Sequence, residues 1–112
     1  MEGDMVTRFA ARFANYLTKG DVRRLFYDLL VKEYGSVKKA SEEAGIERKT
    51  IYNLKEVREV SFKTKAKVLD AAYRVNPLYT LEFLVRILRR RTGEALFALI
   101  DYIKTEADQC NN

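Results

Sequence analysis

The side chains best suited to chemistry in this chain are Arg48, Lys49, Tyr52 and Asn53, gathered within residues 48–53. Arg and Lys donate to the N7 and O6 atoms of guanine, and Asn pairs in two places with adenine. Tyr52 can touch a thymine methyl group or a phosphate. Glu56 can accept from cytosine N4, or pair with Lys49 or Arg58. A shared helix face would let these groups act together, and Ile51 and Leu54 set which face that is. They lie three apart, on one side of a helix, and pin that side to a core. Arg48, Lys49, Tyr52, Asn53 and Glu56 then point outward, with Thr50 at the margin. The expected base contacts are Arg48, Lys49, Thr50, Tyr52 and Asn53.

The residues upstream are the types needed to aim such a helix. A crossing of two helices at close range needs small side chains on the first, and Ala40 and Ala44 supply them. The chain must then reverse within a few residues. Gly45 can take the positive φ that most residues resist, and Ile46 plugs the corner. Ala40 to Leu54 therefore reads as a helix-turn-helix, the layout that sets its second helix in the DNA major groove.

The rest of the chain reads as helix around that unit. Helices are predicted over 4–18, 22–34, 37–44, 48–57, 62–74, 77–91 and 94–107, from apolar residues at helical spacing. Lys19-Gly20 is expected to end the first and Asp21 to cap the second. Gly35 and Ser36 close one helix and cap the next, Ser61 caps another, and Asn76-Pro77 is an N-cap followed by the first helical residue. No strand or repeat is predicted. The expected fold class is all-α: one domain over 1–112, a compact bundle of about six helices containing a central helix-turn-helix. It divides into an N-terminal hairpin (1–35), the helix-turn-helix unit (36–76), a C-terminal hairpin (77–107) and a frayed tail (108–112).

Composition limits the alternatives. There is no histidine, which removes the commonest general base and metal ligand. Cys110 is the only cysteine, so no intramolecular disulfide and no thiolate metal site forms within one chain. No catalytic constellation, metal site or cofactor is expected, and the chain reads as no enzyme. No segment approaches the roughly 20 apolar residues of a membrane span. The start, with Glu2 and Asp4, lacks the basic and apolar runs of a signal peptide. A cytoplasmic protein is expected.

The formal net charge is +5, and it is unevenly placed. Residues 48–67 carry seven basic and two acidic side chains, a net of +5 on the segment that holds the motif. Such a stretch suits a polyanion. Arg89-Arg90-Arg91 is better explained by the macrodipole at a helix C-terminus. Lys63, Lys65 and Lys67 read equally well as phosphate contacts or as a solvated face.

The motif resembles a known family. Ala44-Gly45-Ile46, then Thr50-Ile51, then Leu54 is similar to the AG[VI]xxxT[VI]xx[VL] pattern of LacI-family repressors, and to Fis-type and TetR-type helix-turn-helices. Downstream, Val60-Ser61-Phe62-Lys63-Thr64-Lys65-Ala66-Lys67-Val68-Leu69-Asp70-Ala71-Ala72 resembles the VSxxTRxKVLxAA that follows the recognition helix there. The likeness covers about a third of the chain. It implies base reading by Arg48, Lys49, Tyr52 and Asn53, with Ser36, Ser61, Lys63 and Lys65 near phosphates, where helix N-termini also help. Lys38, Lys55 and Arg58 complete the expected phosphate contacts. Glu47 departs from the family's serine N-cap; it suits the helix dipole but repels phosphate. The family's large sugar-binding domain has no counterpart here, so no small-molecule effector is expected.

The partner expected is double-stranded DNA, bound in a sequence-specific way by a transcriptional regulator. An architectural or repeat-binding protein is the alternative, and a helical protein-interaction adaptor the rival of another class. Residues 78–88 carry apolar side chains at 78, 79, 81, 83, 84, 85, 87 and 88, more than one face. That predicts a central helix or a dimer interface, with 1–34 and 77–107 packed together in a homodimer.

Overall fold

Phe9 and Phe13, one helical turn apart, anchor the first described helix, α1 (Arg8–Phe13), by burying both rings. The computed structural model describes residues 8–55, 59–89 and 93–110; within these, the side chains of Arg48, Asn53, Lys55, residues 93–96 and residues 107–110 lie outside the description. A single 3₁₀ turn, Ala14–Tyr16, follows α1. The chain then breaks at Leu17-Thr18, earlier than the Lys19-Gly20 boundary the sequence predicts. The cause is a reciprocal capping box. The Thr18 hydroxyl accepts from the Asp21 amide at 3.1 Å, and the Thr18 amide donates to the Asp21 carboxylate at 2.9 Å. Lys19 and Gly20 thus lie in the first turn of α2 (Lys19–Arg24), and Asp21 acts as its third residue rather than its cap.

A π-helical turn, Leu25–Leu30, continues α2 and leads into α3 (Val31–Tyr34). The Val31 amide donates to the Phe26 carbonyl, five residues back. The burial pattern matches this wider turn. Leu25 and Leu30, five apart, are both fully buried, whereas Leu29 is only partly so. Gly35 closes the rod at φ 87°, a conformation that glycine adopts without a Cβ penalty. Ser36 then caps α4 (Val37–Ala44), its hydroxyl accepting from the Lys39 amide at 3.1 Å.

After α4 come α5 (Arg48–Lys55), α6 (Phe62–Val75), α7 (Pro77–Arg89) and α8 (Gly93–Cys110). Ser61 caps α6 through the Thr64 amide, and Asn76 caps α7 through the Tyr79 amide. The last helix starts at Gly93 itself and runs to Cys110, past the expected end at 107. The fold is all-α, as the helical spacing predicts.

The hub is α6. It packs against α1, the 3₁₀ turn, α2, the π turn, α4 and α7. Ala66, Val68, Leu69, Ala71 and Ala72 are all buried, so small and branched side chains together line a helix covered on several sides. Its Tyr73 packs against Phe9 with the rings tilted by 35° and their centroids 4.5 Å apart. Phe9 and Phe13 also meet Tyr102 of α8, at 5.5 Å and 6.0 Å, the second pair edge-on. The N-terminal and C-terminal helices thus touch through aromatic rings. One connected core runs from Phe9 to Leu99.

Candidate nucleic-acid interface

The turn between α4 and α5 is built by backbone rules. Gly45 has φ 73° and ψ 37°, in the left-handed region. Its amide donates to the Glu42 carbonyl at 3.1 Å, and the next amide, of Ile46, donates to the Ser41 carbonyl at 2.9 Å. That pair of bonds is a Schellman closure, which satisfies the last carbonyls of α4 while the chain turns away. Ile46 is buried there, beside Ala40 and Ala44, so the corner is plugged by an apolar side chain. Glu47 starts α5 with its backbone: its carbonyl accepts from the amides of Thr50 and Ile51.

The helix so placed has two unlike faces. Ile51 is 2% exposed and Leu54 is fully buried. Opposite them, Lys49 is exposed, Tyr52 is 61% exposed, and Thr50 is intermediate. Lys49 and Tyr52 are three apart and so are neighbours on the outer surface. An aromatic ring held in water has lost the burial that stabilises the others, and it is available to a partner. The backbones of Arg48, Asn53 and Lys55 lie in α5, while their side chains lie outside the description. Arg58 lies outside the described residues altogether, as does Glu56.

Five of the residues expected at phosphates fall on the starts of α4 and α6. Ser36 and Lys38 are exposed at the start of α4. Ser61 and Lys63 are exposed at the start of α6, and Lys65 is partly covered. Both serine hydroxyls already work as caps, and Ser61 also donates to the Thr64 hydroxyl at 3.2 Å. Contact with a phosphate would redirect that hydroxyl proton, whereas the lysines are free to reach without any such exchange. Lys39, not among the expected contacts, sits 4.0 Å from Glu43 in an exposed ion pair.

Two working residues escape a reading of the sequence. Ser41 is buried and donates to the Lys38 carbonyl at 2.9 Å, back-bonding within α4. Lys67, on α6, donates from Nζ to the Gly45 carbonyl at 2.8 Å. The partners of that bond are 22 residues apart, so no local pattern announces it.

Among the described residues, no group of three or more His, Cys, Asp or Glu is placed to hold a metal ion. No described helix is long and apolar enough to cross a membrane. Comparison with protein-family models, curated proteins and solved structures finds no match to this chain.

Proposed function

We propose that this protein binds double-stranded DNA in a sequence-specific manner and acts as a transcriptional regulator. In this reading the α4–α5 pair is a helix-turn-helix of the kind seen in LacI-family headpieces, with α5 in the major groove. The observation that carries it is the split of α5 into a buried Ile51–Leu54 face and an exposed Lys49–Tyr52 face, within a segment of net charge +5. Lys49, Tyr52, Arg48, Thr50 and Asn53 would read bases. Lysines at the start of α6 and the exposed N-terminus of α4 would hold the backbone. With DNA as the partner, the reading carries a cytoplasmic location.

The test is selection of duplexes from a random pool, followed by titration of the winner across salt. An enriched motif and a steep fall of affinity with salt are expected. A pool that stays random and a chain that ignores salt would favour an adaptor that buries Lys49 and Tyr52 against protein. Clustered tandem sites would favour an architectural protein.

The proposal includes a homodimer. A single motif contacts one half-site, and two-fold pairing doubles the contact on a palindrome. Leu78 on α7 and Phe97 on α8 are 66% and 68% exposed, which supports pairing through that hairpin. Sedimentation at high micromolar concentration should give a mass near twice the 13.0 kDa of the chain. A monomer there removes the dimer while leaving DNA binding untouched.

A further inference from the structure

The bond from Lys67 to the Gly45 carbonyl joins α6 to the peptide on which α5 turns. The amides of Gly45 and Ile46 donate back into α4, while the Gly45 carbonyl accepts from α6, so this one peptide is tied to both helices. A protonated amine on a backbone carbonyl makes a charge-assisted bond, stronger than a neutral one. Its leverage is geometric. A helix of this length extends about 12 Å, so a tilt of about 10° at the turn moves its far end by about 2 Å, enough to break base hydrogen bonds. Lys63 lies one turn earlier on the same side of α6 and is exposed, whereas Lys67 is partly covered and engaged.

We propose that Lys67 is a positioning residue: it fastens the Gly45 turn to α6 and so fixes the aim of Lys49 and Tyr52 relative to the phosphate-facing lysines. This rests on the DNA-binding reading above. Lys63 meets the backbone of the duplex; Lys67 holds the reader at the correct angle to it. The two lysines therefore differ in what their loss does, although the sequence presents them as equivalent.

The full-length chain is compared with Lys67→Met, Lys67→Arg and Lys63→Met on a selected duplex and a random one across salt, and by amide exchange without DNA. Lys67→Met should speed exchange at Ile46 and Thr50 several-fold. It should weaken the selected duplex about tenfold, and leave the random duplex and the salt slope as in wild type. Lys67→Arg keeps a donor and should recover selected-duplex affinity. Lys63→Met should reduce the salt slope by about one on both duplexes. Should Lys67→Met not fold, Lys67→Leu, which also lacks a donor, must give the same pattern. The proposal is overturned if loss of Lys67 reduces the salt slope on both duplexes with exchange unchanged, which makes it a phosphate contact, or if no measurement moves. A wild type that binds neither duplex sinks the DNA reading instead. The exchange arm, run without DNA, then reports separately on the grip of Lys67 on the turn.

Discussion

Lys49 and Lys63 are both exposed cations, yet they belong to different parts of the proposed interface. Lys49 shares the outer face of α5 with Tyr52, the face that the proposed interface would turn to base edges. Lys49→Ala should weaken the preferred duplex by about 1–3 kcal/mol and relax the choice of base at one position. Selection from a random pool with the variant reads this directly. Lys63 stands at the start of α6, where the proposed interface would place phosphate. Lys63→Ala should weaken all duplexes alike and make binding less dependent on salt. If Lys49→Ala changes neither affinity nor preference, the orientation of α5 on DNA is wrong. The exposure of Lys49 was legible from residue type and spacing, because Ile51 and Leu54 fix the inner face of α5. The bond made by Lys67 was not legible, since it spans 22 residues and depends on how α6 crosses the turn.

At the scale of elements, caps and turns follow local chemistry. Ser36, Ser61 and Asn76 each cap the helix after them, and Gly35 and Gly45 each take positive φ. A Cβ built on Gly45 meets nothing within 4 Å, so a substitution there costs only backbone strain. Gly45→Ala should destabilise the fold by roughly 1–2 kcal/mol, measured by urea unfolding, and Gly45→Asn by less. A larger loss would show that the turn depends on more than its backbone angle. One boundary and one helical repeat differ for reasons that a periodicity reading misses. Thr18 and Asp21 cap each other, which pulls the start of α2 forward. The π turn lets Leu25 and Leu30 both reach the core, a spacing of five that the ordinary helical repeat does not anticipate.

At the scale of the whole molecule, α6 binds the parts together, and the aromatic cluster of Phe9, Phe13, Tyr73 and Tyr102 ties α1 to α8. Burial raises the Tyr102 phenol above its ordinary 10.0, the carboxylate of Glu106 and then Tyr73 add to the rise, and Arg8 opposes it. The folded protein therefore holds this proton longer than the unfolded chain. Its contribution to stability is whole below pH 10.0 and falls as pH climbs through the raised value. Stability should decline in that alkaline range, and Tyr102→Phe should make the decline shallower; unfolding by urea on either side of pH 10.0 compares the two. An unchanged slope in the variant would remove Tyr102 from the effect.

The sequence by itself determined the all-α class, most helix limits, the two faces of α5 and the place of the positive charge. Each of these depends on spacing, capping or residue type within a turn or two, where the chain's own geometry leaves little choice. Tertiary structure decided the rest. It made α6 the hub, brought Phe9 and Phe13 against Tyr102, and set Lys67 apart from Lys63 by giving it the Gly45 carbonyl. Those outcomes turn on contacts between residues far apart in the chain, and such contacts exist only once the helices have packed.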